Sequence, residues 1–180
     1  MHATATYLKV LSLLLQYPDE AYFKALPDIE AVVRRMPPGP RKTSLAAFIS
    51  HLAAGDPLHV QQQYTALFDM RPATTLNVTY HLGGDGAKRA RLLTRLQQAY
   101  KEAGLEKSSS ELPDYLPLIL EFIATVPQAK DAAVIQKSLA GIDTLAARLK
   151  PDAPIYAGLL APLAAMFKDR SENRTAAAAG

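Results

Sequence analysis

Apolar residues recur at three- and four-residue intervals over most of the chain, the spacing of a helix with one buried face. Tyr7, Leu8, Leu11, Leu14 and Leu15 set out such a face over Thr4 to Gln16. Pro18 closes it, because the residue before a proline avoids the helical region. Asp19 to Arg35 reads as a second helical stretch, interrupted at Pro27-Asp28, with Ile29, Val32 and Val33 inward. Beyond the Pro37-Pro38-Gly39-Pro40 loop, Leu45, Phe48, Ile49 and Leu52 mark a third helix over Thr43 to Ala53. Gly55-Asp56-Pro57 is a stop followed by a start, with Asp56 as N-cap and Pro57 at the first helical position. The fourth helix runs to Phe68 on Leu58, Val60, Tyr64, Leu67 and Phe68, and Asp69 to Thr75 is a loop around Pro72.

Leu76 to Leu82 reads as a short helix. Val78 and Thr79 would suit a strand, but no neighbouring segment offers to pair with one. Gly83-Gly84-Asp85-Gly86 is a joint, with Asp85 capping a long helix over Ala87 to Ala103 that ends at Gly104. That helix places Leu92, Leu93, Leu96, Tyr100 and Ala103 on one stripe and Lys88, Arg89, Arg91, Arg95 and Lys101 elsewhere. Lys107 to Ser110 is a polar connector. Ala129 to Leu149 reads as one helix with Val134, Ile135, Leu139, Ile142, Leu145 and Leu149 inward, and Ile155 to Phe167 as a last one kinked at Pro162. The pattern predicts an all-α, single-domain bundle of roughly seven to nine helices over residues 1–170, with 171–180 a flexible tail.

One stretch departs from simple amphipathicity. Glu111 to Glu121 packs two prolines and three carboxylates among residues that are otherwise nearly all apolar, and runs on into Phe122, Ile123 and Val126. Apolar residues on almost every side place a helix at the centre of a fold. Carboxylates are rarely buried without partners. Asp114 has two readings, a helix N-cap that puts Tyr115, Leu116 and Pro117 in the first turn, or a group that meets a ligand. Capping does not account for Glu121, two turns on and roughly 10.5 Å along the axis. Glu111, Asp114 and Glu121 together predict an acidic rim beside Leu118 and Phe122, which suits a cationic amphipathic peptide.

Composition narrows the chemistry. The 180 residues are 49% apolar and 21% charged, ordinary for a globular domain. With no cysteine there is no disulfide, thiolate ligand or thiol nucleophile, in keeping with a reducing compartment. His2, His51, His59 and His81 follow no zinc-binding spacing, and the glycine joint lacks the pattern of a phosphate loop, so no metal or cofactor is implied. No apolar run is long enough to span a membrane and no cleavage site follows the first helix, so the expected location is the cytoplasm. The formal charge of +3 does not demand nucleic acid. Two alternatives stand: a helical DNA-binding regulator using the basic helix from Lys88 to Lys101, and a helical enzyme using His81 and Asp85.

Glu111-Leu112-Pro113-Asp114-Tyr115-Leu116-Pro117, with Leu120-Glu121-Phe122, resembles the signature of the NarJ family, the nitrate reductase molybdenum-cofactor assembly chaperones or delta subunits. Tyr64 to Asp69 is similar to the family's Y-x-x-x-F-D. The segment from Thr75-Leu76 through Tyr80-His81, Gly84-Asp85 and Lys88-Arg89 resembles its T-L-x-L-T-x-x-x-x-G-D-x-x-x-R. Leu13 to Asp19 is similar to its L-L-x-Y-P-D. The matches keep their order over Leu8 to Val126, with one departure, an extra glycine in Gly83-Gly84-Asp85-Gly86.

The resemblance implies the all-helical fold of the TorD/DmsD group of redox-enzyme maturation chaperones, and no catalysis. It implies a cytoplasmic partner, the apo catalytic subunit of nitrate reductase, held through its N-terminal segment until the molybdenum cofactor is inserted. The peptide-facing candidates it implies are Glu111, Asp114, Tyr115 and Glu121, with Tyr64, Phe68, Asp69, Tyr80 and His81 as the neighbouring wall. A client helix would set its apolar side chains against Leu116, Leu118 or Phe122 and its Lys or Arg against the carboxylates. A monomer or weak dimer is expected.

Overall fold

The computed structural model describes residues 3–83, 86–105 and 110–178, with side chains up to Lys168 apart from Asp131. Its α-helices are α1 (Ala3–Leu14), α2 (Glu20–Arg34), α3 (Pro40–Ala54), α4 (Pro57–Tyr64), α5 (Gly86–Glu102), α6 (Leu116–Thr125), α7 (Ala133–Leu139), α8 (Ile142–Leu149) and α9 (Pro154–Ala178). The bundle is all-α, and the one β-type pairing among the described residues is a single antiparallel bridge between Asn77 and Tyr115. Asp85 and Lys107 to Ser109, read above as a cap and a connector, lie outside the described residues.

The apolar stretch that opens α6 sits where its composition demands. Leu116, Ile119, Leu120, Phe122 and Ile123 are all buried, and α6 packs along α1, itself buried at Tyr7, Leu8, Val10, Leu11 and Leu14. The two helices share a buried polar contact, in which the Ser12 hydroxyl donates to the Pro117 carbonyl at 2.7 Å. Helices α3 and α9 pack together on a second layer, with α8 against α9. The last carbonyls of a helix find no partner within it. At the end of α1 they accept from two buried tyrosines: Tyr22 donates to Leu14 and Tyr64 to Leu15, each at 3.0 Å.

Several expected elements differ in detail. Helix α2 runs unbroken through Pro27. That proline is on the exposed side, while Tyr22, Leu26, Ile29 and Val33 continue the buried face. Val32, expected inward, is off that face and 39% exposed, and Leu58 in the first turn of α4 is exposed. Ala103 is likewise exposed at the end of the α5 stripe. The single helix expected over Ala129 to Leu149 is a 3₁₀ turn at Pro127–Asp131 followed by α7 and α8. The break falls at Gly141, where a Cβ would come within 3.0 Å of the His81 Cβ, so only glycine lets this turn close on the 78–82 segment. Val78–Leu82 is 3₁₀ rather than α. Helix α9 starts at Pro154, accommodates Pro162 and continues to Ala178.

Candidate functional site

The Asn77–Tyr115 bridge positions the site. Val78 N–H donates to the Asp114 carbonyl at 3.1 Å and Leu116 N–H to the Leu76 carbonyl at 2.9 Å. Residues 76–78 therefore lie alongside 114–116, and side chains alternate across the pairing. Asp114 points inward and Tyr115 outward.

Asp114 is fully buried, with no exposed surface. Its carboxylate accepts from Asn77 Nδ2 at 3.1 Å, from the Thr79 N–H at 3.3 Å, from the Thr79 hydroxyl and from Arg89 Nη2 at 3.2 Å. Arg89 Nε donates in turn to Thr79 Oγ1 at 3.1 Å. The carboxylate thus clamps the 77–79 segment and the start of α5 to the entrance of α6. This corrects both readings of Asp114. It does not cap α6, whose N-cap is Tyr115 with no side-chain bond, and it does not face solvent. It also corrects the placing of Arg89 on a purely solvated face, since the guanidinium is the counter-charge of a buried acid.

Tyr115, Tyr64, Phe68, Asp69 and Glu111 come together, as expected. With Tyr17 and the 75–77 segment they line an open cleft of about 270 Å³. Its floor is aromatic, Tyr64 standing edge-on to Tyr17 at 5.6 Å and to Phe68 at 4.9 Å between ring centroids. The hydroxyls of Tyr64 and Tyr115 lie 3.2 Å apart. Because Tyr64 donates to the Leu15 carbonyl, Tyr115 is the donor between the two. Burial holds the Tyr64 hydroxyl far above the ordinary tyrosine range, and Tyr115 and Asp69 add to the effect. Tyr115 is raised by burial first, offset by its bond to Tyr64, with Glu111 and Asp69 raising it further. Both carboxylates are exposed, and neither has an ion-pair partner among the described residues.

The remaining candidates lie elsewhere. Glu121 is turned toward α1, where it pairs with Lys9, so it adds no carboxylate to the cleft. Leu116 and Phe122, expected as groove surface, are core residues, Phe122 standing against Tyr100 at 4.8 Å. Tyr80 is exposed with its ring edge-on to His81 and does not line the cleft. His81 is buried, its Nε2 2.7 Å from the Thr75 carbonyl and its Nδ1 3.0 Å from Arg148 Nη1. A carbonyl on one side and a guanidinium on the other fix the neutral ring with the proton on Nε2. Tyr17 and the 75–77 segment went unrecognised as cleft residues, although both fall in the motif stretches named above; the Tyr-Pro-Asp closing the first helix was the available signal. No cluster of His, Asp or Glu among the described residues could hold a metal ion, and no helix among them is long and apolar enough to cross a membrane.

The His81 geometry carries a pH signature. Burial, the larger effect, and Arg148 lower its pKa below the ordinary 6.5, outweighing the Thr75 hydrogen bond and Asp114, which raise it. The unfolded chain therefore takes up this proton first as pH falls, and His81 costs stability from about pH 6.5 downward while costing none above about pH 7.5. His81→Gln, which keeps a donor and an acceptor without titrating, is expected to flatten the decline in unfolding free energy between about pH 7 and 5. Identical pH profiles for the two proteins in urea melts would contradict it.

The sequence signature described as nitrate reductase delta subunit matches residues 35–161. The NarJ-type protein of Bacillus subtilis (strain 168) is 35% identical over 88% of this chain and 86% of its own length. The nitrate reductase molybdenum cofactor assembly chaperone NarJ of Escherichia coli (strain K12) is 33% identical over 84% of this chain, which spans 65% of that longer relative. A solved structure from Archaeoglobus fulgidus, a candidate redox enzyme maturation protein, superposes with a TM-score of 0.65 at 22% identity, covering 91% of this chain and 93% of its own, and shares the fold. With the signature spanning most of the chain and relatives above 30% identity along nearly all of it, the protein belongs to the nitrate reductase delta subunit family, that of the NarJ chaperones.

Proposed function

We propose that this protein is an assembly chaperone for nitrate reductase, which binds the N-terminal segment of the apo catalytic subunit in the cytoplasm and supports molybdenum cofactor insertion. It acts as a monomer or weak dimer, with no catalytic step of its own. The assembly role is supported by the relatives, which are named for it. The peptide-binding role is supported by one observation above all: a cleft with an aromatic floor and two exposed carboxylates, Asp69 and Glu111, without ion-pair partners among the described residues. An amphipathic segment would set apolar side chains on Tyr17, Tyr64 and Phe68 and its Lys or Arg on the carboxylates. The DNA-binding alternative finds no counterpart among the relatives, and one of its basic residues, Arg89, is engaged with Asp114.

The test is a calorimetric titration of the full chain with a synthetic peptide of the catalytic subunit's N-terminal segment. Saturable binding that weakens with salt is expected, and Asp69→Asn with Glu111→Gln should reduce affinity by about tenfold or more, the loss of two charge-assisted contacts. Equal affinity for the double variant would remove the cleft from the mechanism, and retardation of a DNA duplex at low salt without peptide binding would favour the alternative.

A further inference from the structure

The cleft is smaller than the client segment it would hold. Two turns of helix, about 10 Å across and about 11 Å long, fill roughly 850 Å³, about three times the 270 Å³ of the cleft. An open cleft of that size takes side chains from one face of a helix and leaves the rest of its apolar stripe outside. What meets that remainder has to stand on the rim. Exposed apolar side chains scattered singly need no explanation. Seven large ones are exposed among the described residues, and three of them, Tyr17, Met70 and Leu112, line the cleft or adjoin it in the chain.

Tyr17 lines the cleft itself. Met70 and Leu112 do not, yet each follows directly on a cleft carboxylate, Met70 on Asp69 and Leu112 on Glu111. Their backbones are held. The Met70 N–H donates to the Thr65 carbonyl at 3.0 Å, and the loop it opens returns to the cleft at Thr75, tied back by the Thr74 hydroxyl on the Leu67 carbonyl. The Leu112 carbonyl accepts from the Tyr115 N–H at 3.0 Å, closing a four-residue turn whose ends stay within about 7 Å. Leu112 therefore stands near Tyr115, which lines the cleft. Met70 is 74% exposed and Leu112 44%, and neither belongs to the core cluster.

We propose that Met70 and Leu112 are client-binding residues, an apolar rim that meets the part of the client's apolar stripe lying outside the cleft. The proposal rests on the cleft being the client site. It describes the client more closely, as an amphipathic segment whose apolar side chains flank its cationic ones, because each cleft carboxylate has an exposed apolar neighbour in the chain. A merely basic segment would satisfy Asp69 and Glu111 but leave Met70 and Leu112 in water, and it binds more weakly. Affinity then has two parts, one from charge that salt screens and one from apolar burial that it does not.

The experiment titrates the peptide of the catalytic subunit's N-terminal segment into wild type and into Met70→Ser with Leu112→Ser, at low and high salt, with a thermal melt of each protein. The serine pair is expected to melt within about 3 °C of wild type. It should bind about tenfold more weakly and keep the wild-type dependence on salt, because both carboxylates remain. Met70→Leu with Leu112→Met keeps the apolar surface and should bind as wild type does. Wild-type affinity in the serine pair overturns the proposal while leaving the cleft reading intact, as does an equal loss in the conservative pair. A larger fall in melting temperature would place the two side chains in the fold rather than on the rim, and overturns it as well. Failure of wild type to bind the peptide overturns both the proposal and the cleft reading.

Discussion

Asp114→Ala is expected to lower the unfolding free energy by roughly 3 kcal/mol, the lower end of the range for removing one partner of a buried ion pair. The carboxylate is wholly buried and takes hydrogen bonds from Asn77, Thr79 and Arg89. Truncation leaves the buried Thr79 amide and hydroxyl and the Asn77 amide without their acceptor. Arg89 keeps a third of its side-chain surface and regains water, which holds the cost at the lower end. For a chain of this size the melting temperature should fall by roughly 6–12 °C. Asp114→Asn should recover only part of the loss, because its NH₂ would face donors. A melting temperature within about 2 °C of wild type would show that the network contributes little. The sequence motif invites the opposite ordering, with binding lost and stability kept. Burial reverses it: any effect on the client passes through the 75–77 wall that Asp114 holds.

That reversal shows where reading the chain residue by residue succeeds and where it stops. Buried faces follow local period, so Leu45, Phe48, Ile49 and Leu52 were legible as the inner face of α3, and the carboxyl of Asp56 as the cap of α4, where it accepts from the His59 N–H. The family resemblance supplied Tyr64, Phe68, Asp69, Glu111 and Tyr115, which line the cleft, together with Tyr80, His81, Asp114 and Glu121, which do not. What local period cannot express is a contact between segments. The Asn77–Tyr115 bridge joins a stretch that reads as a short helix for want of a nearby partner to one that reads as the start of a helix, and only that bridge decides that Asp114 turns in while Tyr115 turns out. Glu121 shares a helix with neither, and Lys9, far away in sequence, draws it to the other side. Gly141 interrupts an otherwise periodic helix because of His81, some sixty residues earlier. The π-helical turn at Thr65–Asp69, which follows α4, is invisible for a different reason: one extra residue shifts the phase of the apolar face without breaking the helical look of any short window.

Phe68→Ala is expected to cost about 3–4 kcal/mol, the usual range for emptying a buried phenylalanine site. The ring is almost wholly buried and edge-on to Tyr156 at 5.0 Å as well as to Tyr64. Tyr156 in turn meets Phe48 at 4.9 Å, so a file of aromatic rings runs from the cleft at Tyr17 into the contact of α3 with α9. A double-mutant cycle between Phe68 and Tyr156 should return a coupling of about 0.5–1.5 kcal/mol, the worth of an aromatic pair beyond its area. A loss below about 1.5 kcal/mol in urea melts would mean the neighbours collapse into the space. The same ring is the inner wall of the cleft, so peptide affinity should fall with stability even where the variant is folded. Tyr115→Phe, by contrast, removes only a hydroxyl at the cleft wall and should leave stability within about 1 kcal/mol. The two substitutions separate the parts of the aromatic surface, because Phe68 belongs to the core and lines the cleft at once, whereas the Tyr115 hydroxyl lies at the cleft wall.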